Sequence, residues 1–166
     1  MANTKLKGHP VQLGGTELNL GDLAPKIALV AKDLSEKSVG GASGKYQIIN
    51  VVPSLDTGVC ATQTRKFNEK AAALPEVEVF VVSMDLPFAQ GRFCATEGIE
   101  NLTVLSDFRS KSFAQSYGML LADGPLAGVT ARAVFVVDPA GKIIYKELVP
   151  EITEEPNYEL ALGAIG

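Results

Sequence analysis

Hydrophobic positions along the chain change period several times, and each change marks an element. Apolar runs at Val11–Leu13 and Leu18–Leu20 flank Gly14-Gly15-Thr16, a pattern that predicts a small N-terminal β-hairpin. Ile27–Ala31 reads as a short strand, and the Gly/Ser-rich stretch Gly40–Lys45 reads as a flexible loop leading into Tyr46–Val52, an apolar run with the character of a central strand. From Gly58 the spacing turns helical: Cys60, Thr64, Phe67, Ala71 and Leu74 recur at gaps of 4, 3, 4 and 3, on one face of a helix that Pro75 ends. Val77–Ser83 is again a strand, Pro87 opens a helix through Glu97, and Leu102–Ser106 with Ser110–Tyr117 adds one more strand and helix. Ala131–Val137 and Lys142–Leu148 form a hairpin around Asp138-Pro139-Ala140-Gly141, and a helix over Asn157–Ile165 follows the acidic segment Glu151–Pro156.

Helices alternating with strands, then an antiparallel hairpin and a last helix, predict an α/β three-layer sandwich with a mixed β-sheet, an order that a thioredoxin-like fold satisfies. With 166 residues, and no internal repeat or linker, the chain is expected to form a single domain over residues 1–166.

The formal net charge of −4 supplies no basic field for phosphate backbones, so nucleic acid is not an expected partner. The start, Met1–Pro10, carries Lys5, Lys7 and His9 and no signal-like apolar core, and nowhere do about eighteen apolar residues run together. No membrane is expected, and the cytoplasm is the expected location.

Several chemistries fall away. Gly40–Lys45 is no phosphate loop, because Val39 stands where the first glycine is needed and Tyr46 where Ser or Thr is needed. His9 is the only histidine, and Cys60 and Cys94 lie 94 − 60 = 34 positions apart, so neither a metal site nor a Cys-His nucleophile system can be assembled from them. Cys60 itself has two readings. Unpaired cysteines beside core strands are commonly small buried hydrophobes. Against that, Cys60 falls in the first turn of its helix, where unpaired N–H groups and the helix dipole favour a thiolate. Thr57, three positions earlier, can cap the helix, as Asp56 can instead, or turn its hydroxyl towards the sulfur. Pro53 has no N–H and stiffens the loop entrance.

Pro53, Thr57 and Cys60 spell P-x-x-x-T-x-x-C, and "VVPSLDTGVCATQTRKFN", "SMDLPFAQGRFC", "ADGPLAGVTARAVFVVD" and "EITEEPNYE" surround that motif. From about Val11 to its end the chain resembles the bacterial thiol peroxidase branch of the peroxiredoxins. The resemblance implies that Cys60 is the peroxidatic cysteine, that Thr57 and Pro53 shape its pocket, that Cys94 is the resolving cysteine and that Arg132 clamps thiolate and peroxide. It further implies hydrogen peroxide and organic hydroperoxides as substrates, a Cys60–Cys94 disulfide reduced by thioredoxin, and a homodimer. Nothing in the sequence marks a bound haem, flavin or metal, and no cofactor is expected. Since Cys60 opens one predicted helix and Cys94 lies inside another, their pairing requires unwinding after Gly58 and over Phe88–Glu97. Two rival readings stand beside this one. A dithiol–disulfide oxidoreductase needs C-x-x-C, and Thr57 occupies the place of its first cysteine. A non-enzymatic peroxide sensor would use the same disulfide as a switch.

Overall fold

In the computed structural model, which describes residues 3–71 and 74–165, the chain runs β1 (Asn3–Leu6), β2 (His9–Gly14), β3 (Ile27–Ala31), β4 (Glu36–Val39), β5 (Tyr46–Val51), α1 (Gly58–Ala71) and β6 (Val77–Ser83). It continues through α2 (Pro87–Glu97), β7 (Thr103–Ser106), α3 (Ser112–Ser116), β8 (Leu120–Leu121), β9 (Ala133–Val137), β10 (Ile143–Leu148) and α4 (Tyr158–Gly163). The expected alternation from β5 to α3 is present. Seven strands form one mixed sheet in the order β10-β9-β5-β6-β7-β3-β4, with β5, β6 and β7 parallel and the flanking pairs antiparallel.

Strand alternation gives this sheet two apolar faces. Ile49 and Val51 of β5, Phe80 and Val82 of β6 and Phe135 of β9 share a core with Phe113 and Tyr117 at α3. On the other face Ile48, Val79, Val134 and Val136 pack with Phe67 of α1 and Ala161 of α4. Further along this second face Val52, Val81 and Val104 meet Cys60 of α1 and Cys94 of α2. Cys60, Thr64 and Phe67 are buried, as the helical spacing predicts. Leu74 lies beyond the described end of α1, and residues 72–73 and the side chain of Ala71 are outside the described residues.

The N-terminal hairpin forms one turn earlier than its apolar runs suggest. Val11 pairs with Thr4, and the connection is Lys7-Gly8, whose φ values of 49° and 83° suit a two-residue turn of the twist hairpins prefer. Leu18–Leu20 is no strand, and Gly14 instead faces Leu120 of the short β8. Besides β1, two further strands escaped the hydrophobic pattern: β4, whose Glu-Lys-Ser-Val sequence suits an exposed edge, and β8, only two residues long. Helix α3 is shorter than expected because Lys111 sits at φ 56° and the Asp107 carboxylate takes the N–H groups of Phe113 and Ala114 at 3.0 and 2.9 Å. Helix α4 likewise starts after Asn157, which accepts the Leu160 N–H at 3.1 Å. The Gly40–Lys45 stretch is a loop, held by the buried Gln47 amide, which accepts the Gly40 N–H at 2.8 Å and donates to the Gly41 carbonyl at 3.2 Å.

One contact of the hairpin bears on the site. Lys5 N–H donates to the Pro150 carbonyl at 2.9 Å and its own carbonyl accepts the Ile152 N–H at 2.8 Å, so β1 holds residues 150–152 in place. Glu151 reinforces this by accepting the N–H groups of Gly8 at 2.8 Å and Lys7 at 3.0 Å. The Gly8 bond, with those from Thr153 and Lys7, holds the Glu151 carboxyl down at about 2. A depressed carboxylate contributes stability above its ordinary value and loses it as pH falls through the folded one. Urea midpoints measured between about pH 4.5 and pH 2 should therefore fall less steeply for Glu151→Gln than for the wild type. Parallel pH profiles for the two proteins would contradict that assignment.

Candidate active site

Cys60 is the third residue of α1 and fully buried. Its position follows from the turn that leaves β5. Val52 N–H donates to the Val82 carbonyl at 3.0 Å, and the Thr130 hydroxyl donates to the Val52 carbonyl at 2.7 Å, so the chain is fixed where buried Pro53 begins the loop. The Thr57 hydroxyl donates to the Ser54 carbonyl at 3.1 Å and accepts the Cys60 N–H at 3.4 Å. Of the alternatives open to it, Thr57 therefore caps the helix and does not meet the sulfur; Asp56 is exposed and takes no part in the cap. The Asp85 carboxylate holds the same loop, accepting from the Ser54 hydroxyl and the Leu55 N–H, each at 2.7 Å.

Arg132 reaches Cys60 from the residue preceding Ala133, the first of β9, and is 2% exposed, far from the solvated edge arginine its sequence position alone would allow. Its Nη2 donates to Cys60 Sγ at 3.2 Å, its Nη1 to Gln63 Oε1 at 3.0 Å and its Nε to the Ile152 carbonyl at 2.6 Å. Gln63 lies one helical turn beyond Cys60 and continues the chain of contacts to Asn50, whose amide donates to the Phe80 carbonyl at 3.1 Å. Among the described residues Arg132 makes no salt bridge. A buried guanidinium bonded only to neutral oxygens is poorly compensated, and the sulfur is the one partner able to carry a balancing negative charge.

A cavity of about 230 Å³ opens onto this group, lined by Pro53, Thr57, Val59, Leu126, Ile152 and Arg132 among others. Its walls are mostly apolar, with Ser54, Thr57, Arg132 and Thr153 as polar points. Pro53, Thr57 and Arg132 thus share one pocket, and the fully buried Cys60, which is not on its wall, is linked to it through the Arg132 guanidinium.

Cys94 lies elsewhere. It is buried on α2, in the same apolar cluster as Cys60, but borders a different cavity of about 330 Å³ beside Lys32 and Lys37. Burial pushes the Cys94 thiol up, with Lys32 opposing. Both cysteines are free thiols. Helix α2 is unevenly secured: Gln90 Nε2 donates to Ser83 Oγ at 3.1 Å and to the Leu105 carbonyl at 2.8 Å, but Leu86 at its N-cap offers no capping side chain, Phe88 is 70% exposed, and Gln90 Oε1 is buried without a partner among the described residues. Exposed His9 stands apart on β2, and among the described residues no His, Cys, Asp or Glu group is arranged to hold a metal ion.

Sequence reasoning missed Gln63, Thr130, Asp85 and the Ile152 carbonyl. The signal for the first was available, since Asn50 interrupts an apolar strand and Gln63 lies on the same face of α1 as Cys60, Thr64 and Phe67.

Residues 19–162 match the family model described as Redoxin. The chain is 58% identical over 166 residues to the thiol peroxidase of Aquifex aeolicus, covering 99% of this chain and 98% of that protein. A crystal structure titled as a peroxiredoxin-like protein from Aquifex aeolicus superposes with a TM-score of 0.95 at 55% identity, covering 99% of this chain and 96% of that one. The thiol peroxidase structure from Chromobacterium violaceum has the same fold, with a TM-score of 0.88 at 21% identity over 97% of this chain and 93% of that one.

The buried chain Arg132–Gln63–Asn50 carries a stability consequence. Gln63→Leu keeps much of the side-chain volume but leaves Nη1 of Arg132 without its acceptor, which should lower the unfolding free energy by roughly 1–3 kcal/mol in urea titrations. An unchanged midpoint would mean that the network contributes nothing to folding.

Proposed function

The chain belongs to the redoxin family and is a peroxiredoxin-type thiol peroxidase, and from that premise we propose that Cys60 is its peroxidatic cysteine and Cys94 its resolving cysteine. The observation that carries this reading is the 3.2 Å contact from Arg132 Nη2 to Cys60 Sγ, made at a helix start and behind an apolar pocket. Membership of an enzyme family displaces the non-enzymatic sensor reading, and the absence of C-x-x-C sets aside the dithiol oxidoreductase.

A hydroperoxide enters the pocket with its O–O–H end towards Arg132 and any carbon tail along Leu126 and Ile152, so both hydrogen peroxide and organic hydroperoxides fit the proposal. The Cys60 thiolate attacks the terminal oxygen. The S–O bond forms as the O–O bond breaks, and the departing oxygen takes the electron pair and, through solvent, the proton that the Cys60 thiol gave up on ionising, to leave as water or alcohol. Sulfur is oxidised to sulfenic acid and the peroxide is reduced. Arg132 serves both ends of this step: its charge stabilises the attacking sulfur, and its fixed N–H groups face the negative charge that grows on the leaving oxygen. With its hydroxyl hydrogen directed at the Ser54 carbonyl, Thr57 can orient the peroxide by accepting a hydrogen bond from its O–H. Pro53 closes the wall without offering a competing N–H.

Activation of sulfur alone is not enough, because a more acidic thiol is also a poorer nucleophile, with a Brønsted coefficient of about 0.4–0.5. The main acceleration therefore comes from oriented donors around the breaking bond. Cys94 then attacks the Cys60 sulfenic acid: an S–S bond forms, the S–O bond breaks, and hydroxide leaves with the Cys94 proton as water. Burial in the thiol form, together with the poorly capped α2, supports a resolving step in which this segment and the first turn of α1 unwind. We assign the subsequent two-electron reduction of the disulfide to thioredoxin. The proposal further takes residues 1–166 as one domain, the cytoplasm as location and a homodimer as assembly. No helix among the described residues is long and apolar enough to cross a membrane.

A coupled assay with thioredoxin, thioredoxin reductase and NADPH tests this reading. Cys60→Ser should show no peroxide consumption above background. Cys94→Ser should consume one equivalent of peroxide, yield a trappable sulfenic acid and fail to turn over. Sustained turnover by either variant would overturn the assignment of that cysteine.

A further inference from the structure

Asp85 stands at the junction of the two segments that carry the cysteines. It follows β6 and precedes α2 by two residues, and its carboxylate accepts from Ser54 Oγ, Leu55 N–H and Ser83 Oγ, each at 2.7 Å. Ser54 in turn accepts the Thr57 hydroxyl through its carbonyl, and Thr57 accepts the Cys60 N–H. The path from Asp85 to the first turn of α1 is thus a continuous series of hydrogen bonds. Asp85 is itself anchored to the sheet, its N–H donating to Ser83 Oγ at 3.2 Å and its carbonyl accepting the Ser106 hydroxyl.

Around this junction the packing is open. A cavity of about 180 Å³ separates Leu55 and Asp56 from Ala89, Arg92 and Phe93 of α2, with Asp85 on its wall. The helix has no capping side chain at its start and contains the unpartnered Gln90 Oε1. Gln90 Nε2 ties it to Ser83 Oγ and the Leu105 carbonyl, and Leu55 shares an apolar cluster with Cys94 and Phe93. Among the described residues the hydrogen bonds between the Cys60 loop and the foot of the helix all end on this carboxylate. Asp85 is also part-exposed, so water can replace its partners when it lets go.

We propose that Asp85 is a positioning residue that latches the Cys60 loop to the foot of the Cys94 helix, holding the site in the form that meets peroxide and releasing it for the form that makes the disulfide. This rests on the resolving role of Cys94 given above. It predicts that the two chemical steps respond to loss of the carboxylate in opposite directions. Attack on peroxide needs the capped first turn and so slows. Disulfide formation needs that turn and α2 unwound and so quickens.

Rapid-quench experiments on the reduced full-length protein separate the steps, with peroxide loss reporting the first and mass spectrometry of the Cys60–Cys94 disulfide reporting the second. Asp85→Ala should slow the first step roughly tenfold and speed the second roughly tenfold, the scale expected for losing charged hydrogen bonds. Ser54→Ala, which removes a single bond to the carboxylate, should shift both steps the same ways by a few-fold and serves if Asp85→Ala folds poorly. Both steps slowing together in these variants, or neither changing, would overturn the latch. Failure of the wild type to form a Cys60–Cys94 disulfide would instead remove the resolving role itself, and the latch with it.

Discussion

A positive charge buried without a carboxylate organises this protein. Arg132 is drawn out of water at the end of the sheet, and its bonds go to a backbone carbonyl, an amide oxygen and a sulfur. Leaving such a group uncompensated costs several kcal/mol, on the order of 3–5 when a buried partner is lost, so the surrounding residues are arranged to satisfy it. In the proposed mechanism the same shortage of negative charge makes the pocket receptive to a thiolate and to the oxygen anion of a breaking peroxide. Stability and chemistry thus make the same demand on one side chain, and several distant elements answer it.

Those elements are far apart in sequence. Ile152, which receives Nε, is fixed by β1 at the other end of the chain, while Gln63 comes from α1 and is steadied by Asn50 in the central strand. The N-terminal hairpin is therefore more than an appendage: it holds the carbonyl that aims the arginine. The segment carrying Cys94 contrasts with this rigidity. It shares a core with Cys60, yet its helix lacks a side-chain cap and contains an unpaired buried oxygen. The proposed two-step thiol cycle would use this contrast, since its first step depends on order and its second on movement.

Much of this was legible in the sequence, and the limits have physical causes. The alternation from β5 to α3 shows because buried parallel strands and amphipathic helices leave distinct periods. The hairpin was misplaced because Asn3–Leu6 is polar and its turn, Lys7-Gly8, lacks the usual Asn-Gly signal, while β4 is an edge strand whose composition resembles a loop. Of the residues that the motif and its surrounding text pointed to, the structure brings Pro53, Thr57, Cys60 and Arg132 together and leaves Cys94 at another cavity. Of the groups that support them only Gln63 left a readable signal, because a backbone carbonyl such as that of Ile152 has no side-chain signature and Asp85 looks like any loop carboxylate. The role open to Thr57 was decided only by geometry, which turns its hydroxyl to the helix cap.

The central claim is that Arg132, through its fork of oriented N–H groups, stabilises the sulfur and the breaking O–O bond together. The most direct measurement is the second-order rate constant for sulfenic acid formation in reduced Arg132→Lys, compared with the wild type, alongside the alkylation rate of Cys60 by iodoacetamide. A lysine keeps the charge but not the fork, so the peroxide rate should fall by about 10²–10³-fold, much more than the alkylation rate. A peroxide rate within about threefold of wild type, or one that falls only in step with alkylation, would contradict the account.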